Sequence, residues 1–265
     1  MRLHVEVAGD GPPVVLLHGL TASHRYVVMG SRRLERSGHR VLTYDARAHG
    51  ASDPADDDVY DYAALADDLV RVLGEHEVHR AVLVGASMGA HTAIRVALEH
   101  PALVAGLVVV TPAHEPGRET DPASLERWDR LAAGLERGGA DGFVEAFDFS
   151  GIPEGWRDTV RKITHQRLSV HEHPRALAQA VRGVPRSAPF GGYDDLARVD
   201  VPVTVVGDHD DADPGHPLAV ARAYAEAFPD ARLVVEDEGK SPIAWQGGQL
   251  SGVIAEHVER TDLVG

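Results

Sequence analysis

One stretch of nine residues, Val82–Ala90, restricts the possible folds of this chain more than any other. A β-branched apolar run passes directly into a helical pattern, with only a Gly-x-Ser-x-Gly turn between them. Such a turn must be tight, and Gly85 and Gly89 lack the Cβ atoms that would keep strand and helix apart. The sequence therefore predicts that Ser87 is held in a strained backbone conformation above the edge of a sheet.

The residues after this turn predict a helix with one buried face. Its apolar positions follow the i, i+3, i+4, i+7, i+8 pattern, at Ala90, Ala93, Ile94, Ala97 and Leu98. Pro101 ends the helix after His100. The first turn of this helix carries free N–H groups, and these groups suit an anion that forms beside Ser87.

Short apolar runs alternate with helical patterns along most of the chain. The predicted buried strands are Val14–Leu17, Arg40–Tyr44, Arg80–Gly85, Leu103–Val110, Val201–Gly207 and Arg232–Glu236. This alternation predicts an α/β fold with a mostly parallel sheet and helices on both faces. At the N-terminus, Leu3–Val7 alternates apolar and polar residues, and we expect it to form an edge hairpin with the strand that follows.

The pattern of apolar residues changes between residues 111 and 200. This region has no β-branched run of strand type, and it contains four helical patterns separated by glycine and proline. We expect a helical lid, residues 111–200, inserted into a core formed by residues 1–110 and 201–265.

Composition limits the partners and the compartment. The net charge of −15 disfavours nucleic acid and anionic membranes as partners. The chain has no cysteine, no signal-peptide pattern and no run of 18 apolar residues, which predicts a soluble cytoplasmic protein. Its sixteen histidines are scattered without ligand spacing, so neither a metal nor a cofactor is predicted; the oligomeric state stays open.

Four features in this order resemble the α/β-hydrolase superfamily over essentially the whole chain. They are His18-Gly19 after a buried strand, the loop of residues 45–52, the Gly85–Gly89 turn, and Gly207-x-x-Asp210 after the strand that follows the helical region. The resemblance implies the α/β-hydrolase fold. The turn is then the nucleophile elbow of that family.

The resemblance also implies roles for individual residues. Ser87 would be the nucleophile and Asp210 the acid of a catalytic triad, with the backbone N–H groups of Leu20 and Met88 as the oxyanion hole. Three aspartates crowd Asp210, and we interpret them as turn formers: Asp208, Asp211 and Asp213. His18 and Asp45 would shape the loop around the oxyanion hole.

The sequence departs from the family at the base. The loop before the last helix carries Lys240 where the family has histidine. A lysine has an ordinary pKa near 10.4, so it would need a pKa about 3 units lower to act as a base at neutral pH. An adjacent Asp210 would stabilise the ammonium form instead. A Ser87–Lys240 dyad therefore requires Lys240 to be desolvated and turned away from Asp210.

Other histidines could approach Ser87. His91 lies one helical turn beyond it, His114 follows the strand that leads into the helical region, and His24 follows the oxyanion loop. None of them holds the base position of the family. His257 falls on the apolar face of the last helix, which predicts a hydrogen-bonded core histidine.

Aromatic residues in the helical region offer an apolar substrate pocket. Trp128 and Trp156 stand out there, although aromatic residues at helical spacing more often pack helices together. His209 and His216 lie in the acid loop, and we expect both to be solvated.

The sequence thus predicts a serine hydrolase that acts on a small ester, lactone or related acyl substrate. Two other functions remain open because the usual histidine is absent. One is a ligand-binding pseudoenzyme that keeps the pocket without turnover. The other is a lyase or isomerase in which Lys240 polarises a substrate carbonyl.

Overall fold

The structure is a computed structural model that describes residues 1–209, 213–236 and 247–263. Its strands are β1 Val5–Ala8, β2 Pro13–Leu17, β3 Arg40–Tyr44, β4 Ala81–Ala86, β5 Val104–Val110, β6 Val203–Gly207 and β7 Ala231–Val235. Its α-helices are α1 Arg33–Arg36, α2 Tyr62–Glu75, α3 Met88–Glu99, α4 Pro122–Ala146, α5 Glu154–Leu168, α6 Pro174–Gly183, α7 Tyr193–Leu196, α8 Leu218–Ala227 and α9 Gly247–Val258. Short 3₁₀ turns lie between them.

The described strands form one sheet in the order β1-β3-β2-β4-β5-β6-β7. All neighbouring pairs are parallel except β1 and β3. The predicted α/β architecture is confirmed. The predicted N-terminal hairpin is wrong, because β1 pairs with β3 and not with β2, which follows it in the chain. The alternation in Leu3–Val7 indicates an edge strand but does not identify its neighbour.

Side chains of successive strand residues enter two cores, one on each face of the sheet. Val15 and Leu17 of β2 pack on one face with side chains of α2, α3 and α8. Val14 and Leu16 pack on the other face with α1 and α9. Burial on both faces explains why these strands read as continuous apolar runs rather than alternating ones.

The segment between β5 and β6 contains four helices, α4 to α7. Residues of α4, α5 and α6 form a separate apolar cluster that includes Leu131, Phe143 and Leu177. Within α4, Gly138 and Gly139 have non-helical backbone angles, and Gly139 has φ of 57°. The sequence predicts two helices here, Ser124–Arg137 and Gly142–Phe149, and the kink lies between them.

Membrane crossing needs a helix that is both long and apolar, and the described residues contain none of this kind.

Candidate active site

The turn between β4 and α3 places Ser87 at the carboxyl edge of the sheet. Ser87 has φ of 49° and ψ of −111°, a conformation that L residues rarely adopt. A Cβ atom on Gly85 would lie 2.2 Å from the carbonyl carbon of Gly89, and one on Gly89 would lie 2.2 Å from the carbonyl oxygen of Leu17. Both glycines are therefore required by close backbone contacts, as the sequence predicts.

A cavity of about 410 Å³ opens beside Ser87. Its walls come from the segment after β2, the start of α3, the segment after β5, helices α4 and α5, and the segment after β6. Of the seven non-glycine residues described with positive φ, four line this cavity: Thr21, Met29, Ser87 and Thr111. Backbone strain of this kind concentrates at binding and catalytic sites.

Five of the predicted site residues line this cavity together with Ser87: Leu20, Met88, His91, His114 and Trp128. Two others lie elsewhere. His24 is hydrogen-bonded to Asp45 outside the cavity wall, and Trp156 is 43% exposed on α5. The remaining two, Asp210 and Lys240, lie outside the described residues.

His91 is fully committed to hydrogen bonds. Its Nε2 accepts from the backbone N–H groups of Ala113 and His114 at 3.3 and 3.2 Å, so the proton of the neutral ring is on Nδ1, which lies 3.0 Å from Tyr62 Oη. Burial, with the charges of His114 and His216, lowers the pKa of His91 well below its ordinary value. His91 thus anchors the segment after β5 and has no nitrogen left to accept a proton from Ser87.

Both the backbone and the ring of His114 make contacts with neighbouring aromatic residues. Its carbonyl oxygen accepts a hydrogen bond from the hydroxyl of Tyr224 at 2.9 Å, and its ring packs edge-on against Phe190. Burial lowers the pKa of His114, so the ring is neutral at pH 7. Its Nε2 is buried without a hydrogen-bond partner among the described residues. The ring therefore forms part of the cavity wall, and within the described part of the chain its Nδ1 and Nε2 make no hydrogen bond to a carboxylate.

The segment after β6 supplies a histidine paired with a carboxylate. His216 Nδ1 lies 2.7 Å from Asp213 Oδ2, and both side chains line the cavity that holds Ser87. The expectation that His216 is solvated is wrong, because its side chain is only 23% exposed. His209 is exposed, as expected. The turn-former role that the sequence suggests for Asp213 is incomplete, because its carboxylate is the partner of this ring.

The charges of this pair depend on each other. Burial by itself would lower the pKa of His216, but the charge and the hydrogen bond of Asp213 outweigh it and raise that pKa above the ordinary value. Burial by itself would raise the pKa of Asp213, but His216 and Arg167 hold it below its usual range. Asp213 is thus a carboxylate at neutral pH, and His216 is a stronger base than a free imidazole.

His216 and Asp213 also border a second cavity. This cavity has a volume of about 660 Å³ and is lined by residues 150–153 and by Arg157. The remaining lining residues follow β6: Asp208, His209, Asp213, Pro214, His216, Pro217 and Leu218. Asp213, Pro214 and His216 line both cavities and so form the partition between them.

Asp45 organises the segment that follows β2. Its Oδ1 accepts hydrogen bonds from the backbone N–H of His24 at 2.7 Å and from His24 Nδ1 at 2.9 Å, while Oδ2 accepts from the N–H of Ala51 at 3.1 Å. Burial opposes ionisation of Asp45, but the hydrogen bond from His24 and the proximity of His18 outweigh it and lower the pKa of this carboxyl. The structural role expected for Asp45 agrees with these contacts.

Three buried histidines connect the segment after β2 to neighbouring segments through hydrogen bonds and ring packing. The N–H of Ala46 donates to His18 Nε2 at 2.9 Å, and His18 Nδ1 donates to the carbonyl oxygen of Gly19 at 2.8 Å. His171, between α5 and α6, accepts from the N–H of Gly50 and donates to the carbonyl oxygen of Thr21. The third ring, His49, packs between the other two. The backbone around Leu20 is therefore held by neutral rings that act as donor on one side and acceptor on the other.

A parallel sheet with a strained Gly-x-Ser-x-Gly turn at its carboxyl edge defines a broad class of α/β proteins. The profile of the alpha/beta hydrolase fold matches residues 12–247. The chain belongs to the α/β-hydrolase family.

Individual relatives match in part. The sn-1-specific diacylglycerol lipase ABHD11 of Xenopus laevis is 46% identical over 101 residues, which are 38% of this chain and 32% of the lipase. RutD of Variovorax paradoxus (strain S110), a candidate carbamate hydrolase, is 35% identical over 158 residues, 59% of this chain and 58% of RutD. This chain therefore spans about a third of the first relative and just over half of the second.

A solved structure matches over nearly the whole chain. The thermophilic esterase of Thermogutta terrifontis, in its malate-bound form, superposes with a TM-score of 0.81 at 25% identity and covers 97% of this chain and 93% of its own.

Proposed function

We propose that this protein is a serine hydrolase that cleaves a small ester, a lactone or a related acyl compound. The observation that carries the proposal is the strained conformation of Ser87 at the start of α3, beside a cavity of about 410 Å³. The names of the relatives, a lipase, a candidate carbamate hydrolase and an esterase, support acyl substrates.

In this proposal Ser87 attacks the carbonyl carbon of the substrate. Its hydroxyl oxygen forms the new bond, and the carbonyl oxygen becomes an oxyanion that needs donors already in position. Met88 begins α3, so its N–H has no acceptor within the helix. Leu20 lines the same cavity on the segment that the buried histidines hold. We assign the oxyanion hole to these two N–H groups, with the dipole of α3 adding to their effect.

For the base we propose His216. Its Nδ1 is bonded to Asp213, which leaves Nε2 as the nitrogen that takes the proton of Ser87 and returns it to the leaving group. The carboxylate fixes the tautomer and stabilises the imidazolium that forms. At the family's base position the sequence has Lys240, which could act only if it is desolvated and turned away from Asp210, and Lys240 is therefore the rival base that the experiment below separates from His216.

The substrate would lie under the helical segment of residues 111–200, which we propose acts as a lid. Trp128 and Phe147 line the cavity from α4 and the residue after it, and they give it an apolar wall for an acyl chain. Arg167 of α5 lines the cavity as well, and its buried Nε has no hydrogen-bond partner among the described residues. This donor would favour substrates with an oxygen acceptor or a carboxylate near the scissile bond.

Hydrolysis of a panel of short-chain esters and lactones tests the function. We expect Ser87→Ala to lower kcat/KM about 1000-fold or more, while Ser169→Ala, at an exposed serine after α5, leaves it within about twofold. Full turnover by Ser87→Ala would exclude the nucleophilic mechanism. It would point to the lyase or isomerase function, which does not depend on this hydroxyl.

Two variants separate the candidate bases. We expect His216→Gln to lower kcat about 100-fold or more and Lys240→Ala to change it by less than about threefold. The reverse pattern would assign the base to Lys240. A wild-type chain without turnover, made active by Lys240→His, would establish the ligand-binding pseudoenzyme instead.

A further inference from the structure

The fold brings together three side chains that do not line the cavity beside Ser87. His4 precedes β1, Glu6 lies in β1, and His24 begins the 3₁₀ turn after β2. His4 and Glu6 are two residues apart on an extended segment, so their side chains project from the same side of the sheet edge. His24 Nε2 approaches the same carboxylate from the neighbouring segment.

Two separations between ligand atoms match those around a bound transition metal. His4 Nε2 lies 3.6 Å from Glu6 Oε1, and His24 Nε2 lies 3.5 Å from the same oxygen. The ligand atoms of all three side chains lie within 4.8 Å of one another. Two ligands held about 2.0–2.2 Å from a tetrahedral zinc ion are about 3.3–3.6 Å apart. Small side-chain adjustments would therefore suffice to form the site.

A second observation concerns the orientation of His24. Metal-binding histidines usually donate their other ring nitrogen to a carboxylate or a carbonyl oxygen, which fixes the tautomer. His24 Nδ1 donates to Asp45 Oδ1 at 2.9 Å, so in the neutral ring Nε2 carries the lone pair and faces Glu6. The ring needs no reorientation to bind a cation.

Other clustered histidines in the described part of the chain do not offer such a site. His18, His49 and His171 pack near one another, but each ring uses both nitrogens in hydrogen bonds to the backbone. His91 uses both nitrogens as well. Among the described residues, His4, Glu6 and His24 form the one group with three convergent ligand atoms.

We propose that His4, Glu6 and His24 form a zinc site with a fourth position open to water. Two imidazoles and one carboxylate are the donors that Zn²⁺ accepts in sites that keep one open position. The site is separate from the catalytic cavity, and it is connected to it through Asp45 and the segment that carries Leu20. Bound zinc would tie β1, that segment and the loop after β3 together, and would therefore stabilise the fold.

Calorimetry and thermal unfolding on the full chain, purified without a histidine tag and stripped with a chelator, test the proposal. We expect one Zn²⁺ per chain with a Kd in the micromolar range, and a Tm about 5 °C higher at a saturating Zn²⁺ concentration. Co²⁺ should give the intense visible absorption of a four-coordinate site.

The variants identify the ligands. Glu6 is 62% exposed, so Glu6→Gln leaves the fold intact and should weaken zinc binding at least tenfold. His4→Gln should do the same. His100→Gln, at an exposed histidine after α3, is the matched control and should bind zinc as the wild-type chain does. Absence of binding by the wild-type chain, or unchanged binding by both Glu6→Gln and His4→Gln, would overturn the proposal.

Discussion

Nδ1 of His216 lies 2.7 Å from Oδ2 of Asp213, and both side chains line the cavity that holds Ser87. This pair provides the described part of the site with a histidine oriented by a carboxylate, the combination that activates a serine hydroxyl. The family places its histidine in the loop after the last strand, where this chain has Lys240. This pair is the base and the carboxylate that we propose for the reaction in place of that histidine.

The pH profile of the reaction should report the His216–Asp213 pair. The base must be neutral, and Asp213 raises the pKa of His216, so kcat/KM should fall as the pH drops through a value above 6.5. Asp213→Asn removes the charge that raises this pKa, and burial then dominates. We expect the inflection to move to lower pH and the plateau to fall about 100-fold. An inflection unmoved by Asp213→Asn would show that another group titrates.

The elbow glycines should tolerate no side chain. In Gly89→Ala the new Cβ would lie 2.2 Å from the carbonyl oxygen of Leu17, so β2 and α3 would have to move apart. We expect a loss of about 3 kcal/mol or more in the free energy of unfolding, measured by urea denaturation.

Gly74→Ala is the matched control for this substitution. Gly74 lies in α2, and a Cβ there would meet no described atom within 4 Å. Alanine is the better helix former, so Gly74→Ala should be neutral or stabilise the chain by up to about 1 kcal/mol. Equal effects of the two substitutions would contradict the close contact between β2 and α3.

Acid should destabilise the fold through its buried neutral histidines. His257 is fully buried, its Nδ1 lies 2.8 Å from Thr204 Oγ1, and burial lowers its pKa to about 3. Between this value and 6.5 the unfolded chain binds the proton and the folded chain does not, so stability falls as the pH drops below 6.5. At pH 5 the contribution of His257 is a loss of about 2 kcal/mol.

Urea denaturation at pH 7 and at pH 5 measures this loss. In His257→Asn the group no longer titrates, so the difference in stability between the two pH values should shrink by about 2 kcal/mol. Burial lowers the pKa of His171 to about 4, so the variant should keep part of the acid sensitivity. An unchanged pH dependence in His257→Asn would show that His257 is protonated in the folded chain.

The stability of the fold around the loop after β3 should depend on a buried ion pair. Arg47 Nε lies 2.7 Å from Asp68 Oδ2, with side chains that are 9% and 5% exposed, and Arg47 also donates to the carbonyl oxygen of Val59. Asp68→Asn removes the buried counter-ion and leaves the guanidinium with only the exposed Asp57 at 3.9 Å, which should cost about 3 kcal/mol in the free energy of unfolding.

Glu75→Gln is the control for this pair, because it removes the exposed partner of Arg71 on the same helix. The expected change is below about 0.5 kcal/mol. Thermal unfolding of both variants would settle the comparison, and a cost for Asp68→Asn as small as that for Glu75→Gln would contradict the importance of the buried pair.

The sequence predicts the features of this fold that depend on local pattern. The elbow at Gly85–Gly89, the buried face of α3 and the core position of His257 follow from tight-turn chemistry and periodicity, and the structure confirms them. The partner of β1 was not predictable, because strand order depends on contacts between distant segments. A local alternation such as Leu3–Val7 carries no information about them.

The same distinction between local pattern and contacts of distant segments holds for the candidate site. The resemblance singles out Ser87, but it also directs attention to the family's histidine position and away from His216. The signal in the sequence was the i, i+3 spacing of Asp213 and His216, which gains meaning only when the segment folds against the cavity. The cluster of His4, Glu6 and His24 was missed for the same reason, since its ligands come from two separate segments.

Labelling with a fluorophosphonate probe tests the central claim, that Ser87 is an activated nucleophile, most directly. The probe forms a covalent adduct with activated serines, and peptide mass spectrometry locates it. We predict one adduct on Ser87 at pH 8, strongly reduced in His216→Gln and absent in Ser87→Ala. A wild-type chain that carries no adduct on Ser87 at any pH would contradict the account.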